Sequence, residues 1–506
     1  MKTITPTNIL RVFRGAERYL STTSSVFAAK RVLNIENMNP NVKTMEFAVR
    51  GPIVIRGGQL AKDLEKGAKK PFTSIVKANI GDAHDMGQKP ITFIRQVVAC
   101  TAYPELMKSS EIPEDVKEHA KLILHDCGGH SVGSYGPSPG IECIRKHCAD
   151  YISQRDGIPA NSDDIYITAG ATEGIRNILK LFVNEKARKP VGVMIPIPQY
   201  PLYSATLDEF GLGQVRYYLD EDKNWALNTE ELERAYHESK NKYDTKVICV
   251  INPGNPAGQV LTRQNIEEVI RFAHKHDLFI MADEVYQNNI YAKNSKFFSF
   301  RKVMKELGGE YAEQELASFY SVSKGYMGEC GLRSGYTEIL NMDPEVVAMF
   351  NKMISSKLCS SILGQAALDA AVYPPKQGGA SYDLWFKEMT KILNSLKERA
   401  KLVQEAYGSL EGIECSEIQG ALYAYPRLHL PHKAFAAAKS KGVQPDFFYA
   451  MEMLEATGIC TVPGSGFGQK EGTQHFRTTI LPQTDLMKEM LDRFKPFHSE
   501  FMKKYK

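Results

Sequence analysis

"KVICVINPGNPAGQVLTRQNIEEVIRFAHKHDLFIMADE", residues 246–284, is the stretch whose reading decides the fold. Its opening "KVICVIN" is a short apolar run rich in β-branched side chains, which suits a buried strand. The loop "PGNPAGQ" breaks it, and Thr262 then stands where it can cap a helix with Ile266, Val269, Ile270 and Ala273 on one face. "LFIMADE" is a second strand, apolar until its last two residues. Strand, helix, strand is a βαβ unit. Strands apolar throughout must be covered on both faces, so the sheet is mainly parallel and flanked by helices.

The same grammar extends outward. "DIYIT" and "AGATEGIRNILKLFV" read as a strand, a tight turn and a helix, and "VGVMIPI" and "QVRYYLD" as further strands. In such sheets functional residues collect at the C-terminal strand ends. Asp283 ends an apolar strand, Asn255 lies in the loop after another, and the turn "AGAT" opens a helix whose first N–H groups favour an anion. Each has an ordinary reading as a turn residue. Together with one isolated lysine they describe a site.

That lysine is Lys324, in "SVSKGYMGECGLRSGY" (321–336). An amine that attacks a carbonyl must first lose its proton, and burial near other cations is expected to lower its pKa. Glycine and serine neighbours leave room for a flat ring, while Ser321, Ser323 and Arg333 offer hydroxyls and a planar fork for a phosphate. Pyridoxal phosphate has that shape, and its ring nitrogen needs an acidic partner.

Composition narrows the remaining classes. The 506 residues suffice for two domains, and no uninterrupted apolar run is long enough to span a bilayer. Lys2, Arg11, Arg14, Arg18, Lys30 and Arg31 face only Glu17 in the first 31 residues, so the leader accounts for the whole net charge of +4 and the remainder is near neutral. No nucleic-acid stripe or membrane patch is expected on that remainder. "NILRVFRGAERYL" places Ile9, Phe13, Ala16 and Leu20 on one side and Arg11, Arg14 and Arg18 on another, the pattern of a mitochondrial transit segment. The alternative is an unaddressed tail on a cytoplasmic protein. The nine cysteines form no CxxC pair and no metal spacing, so free thiols are expected, with Cys330 read as a small buried residue.

The motifs "SVSKGYMGECGLRSGY", "INPGNPAGQV", "MADEVYQ" and "IPQYPLY" resemble those of the fold type I, aspartate-aminotransferase-like pyridoxal phosphate enzymes. More narrowly, "AVRGPIVIRGGQL" (48–60), "NIGDAHDMGQKPITFIRQV" (79–97) and "SYGPSPGIECIR" (134–145) are similar to the alanine aminotransferases, and the likeness runs from about residue 38 to the C-terminus. Arg333 follows Lys324 by nine positions where the wider family has eight, an extra residue that the alanine enzymes carry.

The resemblance implies roles position by position. Lys324 is the catalytic lysine that carries the cofactor, and Asp283 partners the ring nitrogen. Asn255 and Tyr286 donate to the ring's phenolic oxygen, and Tyr200 stacks on its face. Ala171, Thr172, Ser321, Ser323 and Arg333 cradle the phosphate, which Tyr135 reaches from a neighbouring subunit in a homodimer with shared sites. Arg477 grips the α-carboxylate of the substrate. The implied reaction is a ping-pong exchange between L-alanine and 2-oxoglutarate. An aminotransferase of glyoxylate or kynurenine type, or a pyridoxal phosphate lyase, is the alternative. No residue is assigned to the distal carboxylate of glutamate; Arg50 is a candidate by position alone. The expected architecture is an α/β large domain at 90–345, with a mainly parallel sheet covered by helices. A smaller α+β domain at 346–506 is completed by the arm 38–89, and 1–37 is a transit segment or disordered leader.

Overall fold

A computed structural model describes residues 32–47 and 51–506. The leader's basic amphipathic stretch and Arg50 lie outside the described residues. Seven strands form the central sheet: β1 (Ile165–Thr168), β2 (Val191–Ile197), β3 (Gly213–Tyr218), β4 (Asp244–Ile251), β5 (Phe279–Asp283), β6 (Leu316–Ser321) and β7 (Gly335–Leu340). Their order is β1-β7-β6-β5-β4-β2-β3. All neighbours run parallel except β7, which is antiparallel to both β1 and β6.

Two-residue periodicity in β4 explains the layers. Val247, Cys249 and Ile251 face helices Ala171–Leu181, Leu202–Phe210 and Pro344–Ser355, whereas Ile248 and Val250 face helices Arg263–Lys275 and Phe300–Leu307. Helix Arg263–Lys275 begins with the Thr262 cap, in a reciprocal capping box with Asn265, and buries Ile266, Val269, Ile270 and Ala273. A third cluster joins Ile167, Tyr320 and Tyr336 of the sheet to helices Thr92–Ala102, Glu142–Asp156 and Ile362–Val372. Packing on the sheet therefore continues past residue 345, because Phe350 and Ile354, then Ala366 and Ala370, bury against it.

Five short strands follow: β8 (Ile413–Glu414), β9 (Tyr423–Ala424), β10 (Arg427–Leu428), β11 (Val462–Pro463) and β12 (Phe476–Thr479). They pair antiparallel as β10-β8 and β11-β12-β9. A separate apolar cluster unites β8, β9, β10 and β12 with helices Tyr382–Gly408, Pro445–Thr457 and Thr484–Tyr505, whereas Val462 of β11 packs with residues of the large sheet. Helix Tyr382–Gly408 bridges both parts: Trp385 belongs to the sheet-side cluster, Val403 and Tyr407 to the other. The segment before residue 90 docks on this second part. Val76 bridges Ile459, and Thr479 N–H donates to Ala78 C=O (2.9 Å). That docking carries residues 79–82 to the C-terminal edge of the large sheet.

Candidate active site

One cavity of about 470 Å³ opens at the C-terminal ends of β4, β5 and β6. Lys324, Asp283, Asn255, Tyr286, Tyr200, Ala171, Thr172, Ser321, Ser323, Arg333 and Arg477 all line it. Tyr135 does not; it is 78% exposed in the single chain.

Local folding explains each placement. Asp283 is the last residue of β5, buried, with Oδ2 accepting the Tyr203 hydroxyl (3.0 Å) and Oδ1 the Val285 N–H (3.4 Å). Asn252 N–H donates to the Asp283 C=O (2.9 Å), which ties the loop after β4 to the end of β5 and brings Asn255 alongside. Asn255 Nδ2 then donates to Tyr286 Oη (3.3 Å), and its Oδ1 accepts from Arg477 Nη1 (3.2 Å). Lys324 follows β6 in a loop pinned by Asn289, which accepts from Gly325 N–H (2.9 Å) and donates to Gly325 C=O (3.2 Å). The amine of Lys324 donates to Gly81 C=O (2.7 Å).

Arg477 enters from β12 and is 1% exposed, so it is no surface arginine. Its guanidinium lies between the rings of Tyr423 (4.2 Å) and Phe467 (4.7 Å), donates to Asn79 C=O, and leaves Nε buried without a partner among the described residues. Arg333 spans the start of helix Ala171–Leu181 through Nη2 to Ala169 C=O (3.0 Å). Gly170 has φ +81°, and a Cβ there would stand 2.7 Å from Arg333 Nη2. The absent side chain keeps that fork against unpaired helix N–H groups. Ser321 Oγ accepts from Ser323 N–H (3.1 Å) and lies 2.9 Å from Ser323 Oγ.

Charge and burial set the proton affinities. Burial pushes the Asp283 carboxyl up to about 6, against the Tyr203 hydroxyl, the Val285 N–H and the Lys324 ammonium. Lys324 departs from expectation. Burial lowers its proton affinity, but Tyr423, Cys330 and Tyr200 outweigh that and hold the amine above its ordinary value. Cys330 also differs from its sequence reading: it is only partly buried, lines the cavity, and its Sγ donates to Ser323 C=O (3.1 Å). All nine cysteines are free.

The donor set fits pyridoxal phosphate. The cavity offers one amine for an aldehyde, one buried carboxylate for a ring nitrogen, and an anion cradle of two hydroxyls, one guanidinium and a helix start. The sequence pattern of the family Aminotransferase class I and II matches residues 100–494. The chain belongs to the class I and II aminotransferases. As a class I and II aminotransferase it is a transaminase whose cofactor is pyridoxal 5′-phosphate. It is 54% identical over 477 residues to "Alanine aminotransferase 2" of Xenopus laevis, covering 94% of this chain and 88% of that one. It is 44% identical over 488 residues to "Probable alanine aminotransferase, mitochondrial" of Dictyostelium discoideum, covering 94% and 91%. The solved alanine aminotransferase from Pyrococcus furiosus superposes with a TM-score of 0.71 at 23% identity, covering 91% of this chain and 99% of that one, which shows the shared fold.

Sequence reasoning missed four residues of this site. Asn79 and Gly81 lie in the recognised stretch 79–97, but nothing local marks them as neighbours of Arg477 and Lys324. Tyr203 could have been suspected, because it closes the motif "IPQYPLY" three positions after Tyr200, in a turn where its N–H donates to Tyr200 C=O (3.1 Å). Tyr423, in "ALYAYP", reads as an ordinary strand aromatic and carried no signal.

Proposed function

We propose that this aminotransferase exchanges the amino group between L-alanine and 2-oxoglutarate, giving pyruvate and L-glutamate reversibly. One observation carries the reading: eleven residues assigned from family motifs, scattered from position 171 to position 477, line a single cavity. The level of identity to proteins named alanine aminotransferase supports the substrate pair. Bound there, pyridoxal phosphate supplies an aldehyde for the amino group and a ring that accepts the electron pair released at the substrate Cα.

The chain's residues do the rest. Lys324 would hold the cofactor through its amine, and that amine is the base that would move the proton at Cα. Asp283, its carboxyl oriented by the Tyr203 hydroxyl, would keep a proton on the ring nitrogen. Asn255 and Tyr286 would donate to the cofactor's phenolic oxygen, and Tyr200 would lie against its ring. Ala171, Thr172, Ser321, Ser323 and Arg333 would hold its phosphate. Arg477, seated between two rings, would grip the α-carboxylate.

The exposed Tyr135 supports a homodimer in which it serves the partner's phosphate. The basic leader and the Dictyostelium relative's name support a mitochondrial address. The domain boundary fits best in the connection 373–381, since both helices before it pack on the large sheet. Pyruvate release from alanine plus 2-oxoglutarate, with aspartate, kynurenine and glyoxylate as competing substrates, tests the assignment. Faster turnover of a competitor moves the protein to another aminotransferase class, and product formed without any oxoacid makes it a lyase.

A further inference from the structure

Tyr423 is 3% exposed, lines the cavity, and sits between its two most consequential cations. Its ring carries the Arg477 guanidinium at 4.2 Å. Its hydroxyl accepts from Tyr286 Oη (3.4 Å). A Cβ on Gly81 would stand 2.0 Å from Tyr423 Oη and 3.1 Å from Lys324 Nζ, so the phenol and the amine both pack against this glycine, in space that a side chain there would occupy. Gly81 C=O fixes the amine from that side (2.7 Å). A circuit results: Arg477 to Asn255, Asn255 to Tyr286, Tyr286 to Tyr423, and Tyr423 back to Arg477 by stacking.

We infer that Tyr423 is a positioning residue with two separable parts: its hydroxyl, packed against the same glycine as the Lys324 amine, conditions that amine for proton transfer, while its ring seats Arg477. The electrostatics agree with the geometry. Among the groups facing the amine, namely Tyr423, Cys330, Tyr200, Arg477 and Asp283, Tyr423 exerts the strongest upward pull, second in size only to burial. Reciprocally, Lys324 and Arg477 overcome burial and hold the Tyr423 phenol below its ordinary value. A phenylalanine would keep the seat and lose the tuning.

The inference rests on Lys324 being the base of the proposed transamination, and the test separates the two. In the full chain freed of cofactor, acetic anhydride labelling of Lys324 is followed by mass spectrometry across pH. Tyr423→Phe lowers the labelling midpoint by about one pH unit. In the holoenzyme the same variant lowers kcat for alanine about tenfold and leaves KM within about twofold, because the ring still seats Arg477. Tyr425→Phe is the control: it deletes another buried hydroxyl of the same segment, bonded to Gly464 C=O (3.2 Å), and should change neither quantity. An unchanged midpoint in Tyr423→Phe, a KM rise matching its kcat loss, or an equal effect of Tyr425→Phe overturns the inference. A shifted midpoint in a protein inactive toward alanine would leave Tyr423 as inferred and refute the substrate assignment instead.

Discussion

Asp283→Asn should stabilise the cofactor-free protein at neutral pH while crippling the enzyme. Burial raises the carboxyl from an ordinary 3.8 to about 6, although Tyr203, Val285 and Lys324 all favour its charged form. A rise of that size corresponds to about 3 kcal/mol that the folded, empty protein loses by keeping Asp283 ionised. Asparagine is a neutral isostere that keeps an oxygen for the Tyr203 hydroxyl. For a chain of this length, with an unfolding entropy of about 1 kcal/mol/K, the gain amounts to about 3 °C in Tm at pH 7.5. The sign follows from linkage. A carboxyl whose folded value is raised favours the fold when protonated, a contribution complete below its unfolded value and lost as pH rises through about 6. The Tm gap between variant and wild type must therefore close as pH falls from 7.5 toward 4. The assay is thermal unfolding of both full chains, freed of cofactor, across that range, with turnover of the reloaded enzymes measured beside it. A variant no more stable than wild type at pH 7.5, or a gap indifferent to pH, would refute the reasoning. Turnover should fall about a hundredfold or more, because asparagine cannot hold a proton on the ring nitrogen.

The other expectations concern the lysine, the carboxylate clamp and the floor of the cavity. Lys324→Ala should abolish the lysine-linked absorbance of the cofactor and lower kcat by about three orders of magnitude or more, with an unchanged circular dichroism spectrum; ordinary turnover would remove Lys324 from the mechanism. Arg477→Lys replaces a planar fork held between two rings by a point charge, and should cut kcat/KM about a hundredfold for alanine and glutamate alike in stopped-flow half-reactions; loss with glutamate alone would assign Arg477 to a distal carboxylate. Gly81→Ala places a methyl 2.0 Å from the Tyr423 hydroxyl, so kcat should fall about tenfold or more while cofactor content is retained; wild-type kinetics would show that this floor is slack.

Much of the architecture was legible because its causes are local. "VGVMIPI" is β2 residue for residue, and Thr262 caps its helix as its spacing implied. The strand "LFIMADE" announced that an acid would emerge from a buried sheet at the edge where ligands bind, and Asp283 does so. The place of residues 346–372 was not legible. The apolar residues of helices Pro344–Ser355 and Ile362–Val372 do not say which surface receives them, and only in the folded chain are Phe350, Ile354, Ala366 and Ala370 seen packed with residues of the large sheet.

By itself the sequence determined the residue types at the strand ends, the βαβ order and the motifs that place this chain among the aminotransferases, because backbone propensity and side-chain periodicity act over a few neighbouring residues. The tertiary structure alone decided that Asn79, Gly81 and Tyr423 meet Lys324 and Arg477, and that Tyr203 holds Asp283. It also reversed the expected sign at Lys324. Burial does lower that amine's proton affinity, but the groups that outweigh it include Tyr423, 99 positions further along the chain, and Tyr200, 124 positions before it. Desolvation and Coulomb interactions depend on distance through space and exclusion of water, and neither quantity exists until the chain has folded.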